Sequence, residues 1–509
     1  MNDHPVSRFN LAQSLLGPNL ERHPDKLAYI CRDETVSFRQ LADAAHRLAA
    51  LLQGRDVECG DRVMLVLLDS PVFVASLLGV LLAGGVAVIA GTSLTTEEYR
   101  FILEDSGSRL LLASASLPAA TALATPDLPC MACGESLAGW LDRLPGATVA
   151  PVARGGDDDV LMLYTSGSTG RPKGVPHSGN DVLASADAFA GGVLGMTEAD
   201  VVYSASKLFF AYGLGNSFSF PLRFGATTVL HPPKPEPAAI RDIVTAHGVT
   251  LLCAVPVVYT MLLKTMPSDW HPASLRLCVS AGEALPAPVA RAWHQQTGVE
   301  VLDGIGSTEA LHIYIAQRPG ESAAGAPGRL VPPYEAKIVD DAGAELVDDT
   351  PGLLLLRGPS LARRYWKRPD KSAATMLADG WLHTGDIVRR VDGGFVYQGR
   401  HDDMFKVDAQ WVSPLKIEAV LREHAAVLDC GVTWRTLEGL QRPLAFVVPA
   451  DGHQADPALE QELRHHAAQH LQAHMVPVQI EFIAELPTTA TGKVQHFRLR
   501  QFLTERSAA

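Results

Sequence analysis

Short apolar runs alternate with longer helical patterns through the first 330 residues of the chain. The runs at 62–68, 86–90, 226–230 and 275–280 are rich in aliphatic residues and contain few charges. Continuous apolar runs of this length are typical of strands that are buried on both faces of a sheet. Their alternation with helices predicts layered α/β subdomains with largely parallel sheets.

The stretch at 72–91 contains no charged residue, and hydropathy alone would allow it to span a membrane. The pair Gly84-Gly85 interrupts the stretch. We therefore interpret 72–83 as a buried helix and 86–90 as a buried strand, which repeats the α-then-β alternation around it. On this interpretation the protein has no membrane partner.

Beyond residue 330 the pattern changes twice. From about 335 to 400, strand-like runs become dense and tight turns frequent, as at Asp340-Asp341-Ala342-Gly343, so this segment predicts a β-rich subdomain. The charged His401-Asp402-Asp403 then marks a boundary. We expect an α/β N-terminal domain over 1–400 and a small α+β C-terminal domain over 403–509.

Composition narrows the class of protein. At 509 residues the chain is too long for a single hydrophobic core. Its formal net charge of −13 argues against nucleic acid as a partner, because binding to a phosphate backbone requires a basic face. Cys130 and Cys133 lack the second pair of ligands that a zinc site would need. The scattered cysteines and the absence of a secretory signal favour a cytoplasmic protein, which we expect to be a monomer or homodimer.

The segment from Tyr164 to Gly174 contains the clearest chemical signal. A row of hydroxyl and glycine residues leaves backbone N–H groups and hydroxyls to surround an anion, and Lys173 adds a positive charge. Pro172 and Gly174 keep the chain extended around the lysine, whereas the common P-loop continues into a helix. The predicted phosphate-binding residues are Thr165, Ser166, Gly167, Ser168, Thr169, Gly170 and Lys173.

This segment resembles the phosphate loop of the adenylate-forming superfamily, which comprises acyl- and aryl-CoA ligases, luciferases and adenylation domains of peptide synthetases. Further segments match that family's motifs in the same order: Ser280-Ala281-Gly282-Glu283, Asp303-Gly304-Ile305-Gly306-Ser307-Thr308-Glu309, Trp381-Leu382-His383-Thr384-Gly385-Asp386, Gly399-Arg400-His401-Asp402-Asp403 and Pro487-Thr488-Thr489-Ala490-Thr491-Gly492-Lys493. The resemblance implies that ATP and Mg²⁺ are used to convert a carboxylate into an acyl adenylate. It also implies that the C-terminal domain is mobile about a hinge at Asp402.

The resemblance assigns roles to single residues. Glu309 is expected to hold Mg²⁺, a hard ion that prefers carboxylate oxygen, and Thr308 to hydrogen-bond the α-phosphate. Lys493 is expected to bridge the substrate carboxylate and the α-phosphate, where it offsets the developing charge. Asp386 and Arg400 are expected to hold the ribose. The other expected ATP or AMP contacts are Gly282, Glu283, Ala284, Asp303, Gly304, Ile305 and Gly306.

The segments around Tyr212 and His312 indicate which carboxylate is activated. Both resemble the corresponding segments of benzoate- and substituted-benzoate-CoA ligases. No Asp or Glu lies between residues 205 and 235, where an amino-acid-activating relative would need one to bind the ammonium group. An aromatic slot suits a planar ring, and the polar tips of Tyr212 and His312 could bind a ring hydroxyl or amine. The expected substrate-binding residues are Phe210, Ala211, Tyr212, Gly213, Gly306, His312 and Ile313.

The sequence leaves the thiol acceptor open. Benzoate ligases have a glycine in the loop where this chain has Asp408-Ala409 after Lys406-Val407, and a Cβ there is expected to obstruct the phosphopantetheine arm. Met475 takes the place of a family lysine. The leading hypothesis is an aryl-CoA ligase that releases AMP and pyrophosphate. The alternatives are an enzyme that loads the phosphopantetheine thiol of an acyl carrier protein, and a catalytically silent sensor of aryl acids or adenylates.

Overall fold

The computed structural model describes residues 8–125, 129–165, 171–323, 325–407, 410–437, 440–488 and 494–508. The chain divides into two compact units, of which the first comprises Met1–Ala336 and Leu356–His383 and the second Lys337–Leu355 and Thr384–Ala509. The predicted hinge at Asp402 and the domain limits at 400 and 403 stay predictions. Within the described ranges, each helix is too short or too polar to cross a membrane.

Strands and helices alternate as the apolar pattern predicts. The strands are β1 (Arg8–Phe9), β2 (Leu27–Cys31), β3 (Glu34–Ser37), β4 (Arg62–Val66), β5 (Val86–Ile89), β6 (Leu110–Ser114), β7 (Cys130–Cys133), β8 (Arg154–Gly155), β9 (Asp159–Thr165), β10 (Lys173–Ser178), β11 (Val201–Ser204), β12 (Thr227–Leu230), β13 (Leu251–Ala254), β14 (Leu277–Ala281), β15 (Val301–Gly306), β16 (Ile313–Ala316), β17 (Arg329–Leu330), β18 (Glu335–Val339), β19 (Gly352–Arg357), β20 (Leu382–Val391), β21 (Gly394–Arg400), β22 (Phe405–Val407), β23 (Gln410–Val412), β24 (Val427–Leu437), β25 (Leu440–Pro449) and β26 (Gln479–Phe482).

The helices are α1 (Leu11–Arg22), α2 (Phe38–Gln53), α3 (Pro71–Leu82), α4 (Thr96–Ser106), α5 (Pro118–Thr121), α6 (Leu137–Leu141), α7 (Gly179–Ser185), α8 (Ala211–Leu214), α9 (Phe220–Phe224), α10 (Pro237–His247), α11 (Pro256–Thr265), α12 (Ala287–Thr297), α13 (Pro369–Thr375), α14 (Pro414–Arg422), α15 (Pro457–His470) and α16 (His496–Ala508). Turns of π-helix span Ala186–Gly191 and Gly215–Ser219, and a 3₁₀ turn spans Ala473–Met475.

The first unit contains two large sheets with a helical layer. Among the described residues, one sheet has the strand order β10-β9-β5-β4-β6-β7 and the other β17-β16-β15-β14-β13-β11-β12-β2-β3. A buried apolar cluster joins α2 and α3 to strands of both sheets. The strands predicted at 62–68, 86–90, 226–230 and 275–280 are confirmed as β4, β5, β12 and β14, with ends shifted by one or two residues.

The uncharged stretch forms the buried helix α3, as predicted. All of its residues are buried, and Pro71 suits the first turn, where a backbone N–H would have no helical partner. Gly79 permits close packing on α2, because a Cβ at this position would lie 2.8 Å from the Cβ of Leu48. Burial between other elements therefore explains the hydropathy of this stretch.

The larger sheet determines where functional residues gather. Strands β2, β12, β11, β13, β14 and β15 pair in parallel, whereas β3, β16 and β17 are antiparallel additions. The carboxyl ends of parallel strands meet at one edge of a sheet, which is where open α/β proteins bind ligands. The segments that follow β11, β13, β14 and β15 lie along this edge.

The second unit is rich in strands. Strands β20 and β21 form a long antiparallel ladder within the sheet β18-β19-β20-β21, which confirms the dense strands predicted from about 335 to 400. The sheet β24-β25-β26 shares a buried apolar cluster with α14 and α15. Strands β22 and β23 form a short hairpin. The α+β character predicted for the C-terminal residues is confirmed.

Candidate active site

The predicted phosphate loop connects the two strands of a β-hairpin. Strand β9 ends at Thr165, β10 begins at Lys173, and these two residues are partners in the antiparallel ladder. Lys173 thus begins an extended strand and not a helix, as Pro172 and Gly174 predict. The phosphate-binding role of Ser166, Gly167, Ser168, Thr169 and Gly170 stays a prediction, because these residues lie outside the described part of the chain.

Two neighbouring parallel strands bring the other predicted nucleotide contacts of the first unit together. Ala281, the last residue of β14, is the partner of Gly304 on β15. Gly282, Glu283 and Ala284, which follow β14, are exposed at the carboxyl edge of the sheet. The segment Asp303-Gly304-Ile305-Gly306 ends the adjacent strand.

Asp303 presents an acceptor atom at this edge. Its Oδ2 accepts a hydrogen bond from the backbone N–H of Leu285 at 3.1 Å. Its Oδ1 is buried and has no hydrogen-bond partner among the described residues. Burial raises the pKa of Asp303 to about 7. A buried acceptor without a partner costs free energy, and a ligand that brings a donor to Oδ1 would recover it.

Main-chain contacts fix the segment that contains Thr308 and Glu309. The buried ring of His177 lies with Nε2 2.7 Å from the carbonyl oxygen of Thr308, to which it donates. The backbone N–H of Ala362 donates to the carbonyl oxygen of Glu309 at 2.8 Å. Leu311 has φ 65°, and its backbone N–H donates a hydrogen bond to the carbonyl oxygen of Thr308, which closes the turn. The two predicted catalytic side chains therefore start from a fixed backbone.

Tyr365 contacts both charged side chains of this part of the site. Its hydroxyl donates to Glu309 Oε1 at 2.6 Å. The Lys173 Nζ lies 4.0 Å from the centroid of the Tyr365 ring. The predicted phosphate lysine and the predicted metal carboxylate, which lie far apart in sequence, thus converge on one tyrosine that is 4% exposed.

The residues around Glu309 fit a metal ion that arrives with a nucleotide. Within the part of the chain that the structure describes, no group of three or more His, Cys, Asp or Glu side chains could hold an ion. Mg²⁺ commonly takes one or two carboxylates from the protein and completes its octahedral shell with substrate phosphates and water. The carboxylate of Glu309, near the phosphate lysine, matches that arrangement.

The predicted aryl pocket combines the segment after β11 with the start of β16. Tyr212 lies on α8, and its hydroxyl donates to the carbonyl oxygen of Val279 on β14 at 2.9 Å. The centroid of its ring lies 5.4 Å from that of His312. Phe210 precedes α8, and its ring packs against that of Phe209 at an interplanar angle of 53° with the centroids 4.5 Å apart. The structure therefore brings Tyr212 and His312 together, as predicted.

The remaining predicted substrate contacts lie on the same elements. Ala211 and Gly213 belong to α8. Ile313 begins β16 and is the partner of Gly306 across the ladder with β15. This register places the residues predicted to bind the aryl acid next to those predicted to bind the nucleotide.

His312 is a neutral polar group in an aromatic environment. Its ring centroid lies 5.1 Å from that of Phe189 and 4.5 Å from that of Phe220. Burial lowers the pKa of His312 to about 3, so the imidazole is uncharged at neutral pH. Within the described residues, neither of its ring nitrogens makes a hydrogen bond of good geometry, and the same holds for the buried side-chain amide of Asn216.

A π-helical turn makes room for this imidazole. The turn Gly215–Ser219 separates α8 from α9 and widens the helix beside the pocket. A Cβ at Gly215 would lie 2.4 Å from Cδ2 of His312. Turns of this kind are frequent at functional sites, and here the turn and the glycine admit the ring together.

In the second unit, Asp386 and Arg400 form a pair on adjacent strands. They are partners in the β20–β21 ladder, and Arg400 Nη1 donates to Asp386 Oδ1 at 2.9 Å and to the Thr384 carbonyl oxygen at 2.8 Å. Asp386 is 5% exposed. A buried carboxylate that an arginine orients is suited to accept hydrogen bonds from a diol such as ribose.

The predicted acceptor loop corresponds to the hairpin of β22 and β23. Lys406 lies on β22, and its Nζ is 3.5 Å from Asp341 Oδ2. Met475 is 8% exposed and packs in the apolar cluster of the second unit, so this position is part of the core. The roles expected for Asp408, Ala409 and Lys493 stay predictions, because these residues lie outside the described part of the chain.

Sequence reasoning missed Tyr365, His177 and Asp105. Asp105 accepts hydrogen bonds from the Tyr164 hydroxyl at 2.8 Å and from Arg368 Nη2 at 3.0 Å, and so ties the strand before the phosphate loop to the segment after Tyr365. The sequence feature that could have drawn attention to Tyr365 is the cluster of aromatic and basic residues in Arg363-Arg364-Tyr365-Trp366-Lys367-Arg368. Such a cluster indicates a half-buried polar segment and does not reveal its partners.

Comparison with known proteins identifies the family. The family model described as AMP-binding enzyme matches residues 18–366, and that of the AMP-binding enzyme C-terminal domain matches residues 416–493. The benzoate–CoA ligase of Thauera aromatica is 38% identical over 512 residues, which cover 97% of this chain and 96% of that protein. The 4-hydroxybenzoate–CoA/benzoate–CoA ligase of Rhodopseudomonas palustris is also 38% identical, with coverage of 98% and 95%.

A solved structure shows the same fold. The crystal structure of the anthranilate CoA ligase AuaEII in complex with anthranoyl-AMP superposes with a TM-score of 0.91 at 34% identity, and the match covers 100% of each chain. These similarities and the ordered motifs indicate the same family, and the convergence of Lys173 and Glu309 on Tyr365 is consistent with it. The chain belongs to the family of AMP-binding enzymes, the adenylate-forming enzymes that its motifs resemble.

Proposed function

We propose that this protein is an aryl acid–CoA ligase. It activates benzoate, or a benzoate with a hydroxyl or amino substituent, as the aryl adenylate and transfers the aroyl group to the thiol of CoA. The observation that supports this most strongly is the position of the Tyr212–His312 pocket, which follows directly on the segment where Lys173, Tyr365 and Glu309 converge. An aryl carboxylate in this pocket would face the phosphate-binding residues.

In the first half-reaction, a carboxylate oxygen of the substrate attacks the α-phosphorus of ATP. The bond from that phosphorus to the bridging oxygen breaks, and pyrophosphate leaves. Both reactants are anions, so the site must hold them in line and offset their charge. Lys173 supplies positive charge to the phosphates, the Thr308 hydroxyl hydrogen-bonds the α-phosphate, and Lys493 bridges the reacting oxygens. Glu309 would hold Mg²⁺, which neutralises phosphate charge when bound.

We infer the contacts to the nucleotide from one hydrogen-bond acceptor in each unit. Oδ1 of Asp303, a buried acceptor without a partner in the described residues, is suited to the exocyclic amine of adenine. The carboxylate of Asp386, which Arg400 orients, is suited to the ribose hydroxyls. We propose that Asp303 binds the adenine and that Asp386 binds the ribose, and each role is argued from the contacts of that residue alone.

The polar atoms of the pocket favour a substituted ring. The neutral imidazole of His312 can donate or accept a hydrogen bond, and so can the side-chain amide of Asn216. A hydroxyl or amino group on the ring could bond to either of them, whereas unsubstituted benzoate would offer neither a hydrogen bond from its ring. The relatives reported above are named for benzoate, 4-hydroxybenzoate and anthranilate, which span this range.

In the second half-reaction, a thiol attacks the carbonyl carbon of the adenylate, the bond to the phosphate oxygen breaks, and AMP leaves. The relatives are named for CoA, and we propose CoA as the acceptor. Asp408 and Ala409 keep a second candidate open, the phosphopantetheine thiol of a carrier protein, because they place a negative charge and a Cβ in the loop that should pass the arm.

Exchange between pyrophosphate and ATP tests the first half-reaction. We expect exchange with benzoate, the three hydroxybenzoates and anthranilate, and none above background with palmitate or phenylalanine. Adding CoA should convert the supported acids into thioesters, which chromatography detects. Exchange that is fastest with palmitate or with phenylalanine would contradict the assignment of the pocket, and exchange without thioester formation would favour the carrier protein as acceptor.

A further inference from the structure

We infer that Tyr365 is a positioning residue that orients the metal carboxylate and the phosphate lysine at once. This inference rests on the proposed function, because it takes Glu309 as the Mg²⁺ ligand and Lys173 as a phosphate ligand. The tyrosine contacts both side chains through different parts of its ring system. The hydroxyl donates to Glu309 Oε1 at 2.6 Å, and the ring face receives Lys173 Nζ at 4.0 Å from its centroid.

The backbone around Tyr365 is attached to both of the segments that it serves. Three residues before it, the N–H of Ala362 donates to the carbonyl oxygen of Glu309 at 2.8 Å. One residue after it, the N–H of Trp366 donates to the carbonyl oxygen of Gly174, next to the lysine, at 2.8 Å. The two contacts fix where Tyr365 lies relative to the metal carboxylate and to the phosphate lysine.

Further contacts prevent the tyrosine from rotating away. Its own N–H donates to Ser372 Oγ at 2.9 Å, and its ring lies in a small buried cluster with Val175 and Ala362. The neighbouring Trp366 donates its Nε1–H to the carbonyl oxygen of Asp105 at 2.8 Å. A rigid tyrosine can impose a geometry on Glu309 and Lys173, whereas a mobile one could not.

Each contact has a chemical consequence. A hydroxyl that donates to one carboxylate oxygen of Glu309 fixes the rotation of that carboxylate and directs the other oxygen, and hydrogen bonds of this kind to a metal ligand typically change metal affinity by about 10- to 100-fold. The contact of the ammonium with the ring face adds a smaller effect, of about two- to fivefold. The hydroxyl therefore governs the response to Mg²⁺, and the ring governs affinity for the phosphates.

Two substitutions separate these effects. Tyr365→Phe keeps the ring and removes the hydroxyl, and Tyr365→Leu removes both. For Tyr365→Phe we expect the Mg²⁺ concentration that gives half-maximal pyrophosphate exchange to rise by about tenfold or more, while the KM for ATP at saturating Mg²⁺ changes by less than about twofold. For Tyr365→Leu we expect the same shift in Mg²⁺ dependence and, in addition, a rise in the KM for ATP of about two- to fivefold.

Calorimetry provides a readout that does not depend on turnover. In the wild type, ATP should bind more tightly with Mg²⁺ than with EDTA, and in Tyr365→Phe this difference should shrink while affinity in EDTA is retained. Tyr259→Phe is the matched control, because that buried hydroxyl donates to the main-chain carbonyl oxygens of Leu252 and Val279 and not to a site carboxylate. It should leave both Mg²⁺ dependence and ATP affinity unchanged.

An unaltered Mg²⁺ dependence in folded Tyr365→Phe would overturn the inference. So would a parallel loss of every constant and of thermal stability in both variants, since that would indicate a purely structural role. If the wild type exchanged pyrophosphate with no aryl acid at all, the proposed function would fail instead. The calorimetric comparison of ATP with and without Mg²⁺ would still decide the inference about Tyr365.

Discussion

Lys493 is expected to separate the two half-reactions. Its predicted position between the substrate carboxylate and the α-phosphate matters while the adenylate forms, and no longer once pyrophosphate has left. Lys493→Ala should therefore slow pyrophosphate exchange by about a hundred- to thousandfold, typical for loss of one group that stabilises developing charge. The variant should still form thioester from chemically prepared aryl adenylate.

The control for this prediction is Lys416→Ala, which removes an exposed lysine from α14 of the same unit. Both half-reactions should stay at the wild-type rate in the control. Unchanged exchange in Lys493→Ala would show that the family position has been transferred to the wrong lysine.

Buried His312 should make stability depend on pH. Burial lowers its pKa to about 3 in the folded protein from the ordinary histidine value of 6.5, so the unfolded chain binds the proton more readily. Stability is therefore complete above pH 6.5 and falls as the pH drops below this value. Between pH 7.5 and 5.5 this group alone should cost about 1.4 kcal/mol of unfolding free energy.

Comparison with His312→Leu isolates this contribution. Burial raises the pKa of Asp69 to about 6 and that of Asp303 to about 7, and these groups act in the opposite direction in both proteins. Urea unfolding at pH 5.5 and 7.5 should show that the wild type loses about 1.4 kcal/mol more than His312→Leu on acidification. Equal losses in the two proteins would mean that the imidazole is accessible to protons in the fold.

At the residue scale, the sequence indicated which side chains form the site. It did not indicate all of the residues that hold those side chains in place. Motif residues such as Lys173 and Glu309 are recognisable because their chemistry is unusual for a loop. Tyr365 and His177 are ordinary core residues in sequence, and their importance depends on contacts with segments far along the chain. The catalytic roles of the site residues themselves stay predictions.

At the scale of elements, the apolar pattern predicted strands to within one or two residues because burial on both faces leaves a continuous run. It also predicted α3, since Gly84-Gly85 breaks the uncharged stretch. The π-helical turn Gly215–Ser219 could not be predicted this way. The turn lies beside the His312 ring, which comes from a segment far along the chain and occupies the space next to Gly215.

Helices α14 and α16 are connected by a buried contact between His496 and Glu418. His496 Nε2 lies 2.7 Å from Glu418 Oε1, and Glu418 is 1% exposed. Burial raises the pKa of Glu418, but the charge and hydrogen bonds from His496 and Arg422 outweigh burial and hold that pKa below its usual value. The contribution of the Glu418 carboxylate to stability is present at pH values above the ordinary carboxyl range and is lost as the pH falls through and below that range.

Removing one partner should therefore be costly. We expect His496→Ala to lower the unfolding free energy of the second unit by about 3 kcal/mol, because a buried carboxylate is left without its main partner. The double variant Glu418→Gln/His496→Ala should recover part of this loss, since it removes the buried charge. Denaturant titration followed by fluorescence measures both, with His470→Ala, an exposed position on α15, as the control that should change little.

At the scale of the whole molecule, the family, the α/β architecture and the small C-terminal α+β part could be predicted because ordered motifs and composition extend over the full chain. The hinge and the thiol acceptor could not be predicted from the sequence pattern, since they depend on motion and on the residues at 408–409. The similarity to ligases named for CoA supports CoA. The absence of a glycine at 408–409, where benzoate ligases are expected to have one, is the basis for the prediction that the acceptor half-reaction is weakened.

Asp408 and Ala409 should weaken the use of CoA relative to adenylate formation. CoA carries several phosphates, and a carboxylate near their path costs about 1 kcal/mol at short range in water, or roughly fivefold in affinity. The double substitution Asp408→Ser/Ala409→Gly should thus raise kcat/KM for CoA by about fivefold or more while pyrophosphate exchange stays unchanged. Because the effect of Asp408 is electrostatic, the gain should shrink when the salt concentration is raised from 0.05 to about 1 M, where charges beyond about 3 Å are screened. If salt leaves the gain intact, the effect is assigned to the Cβ of Ala409. If the wild type turns over micromolar CoA as fast as it releases pyrophosphate, the loop hinders neither step.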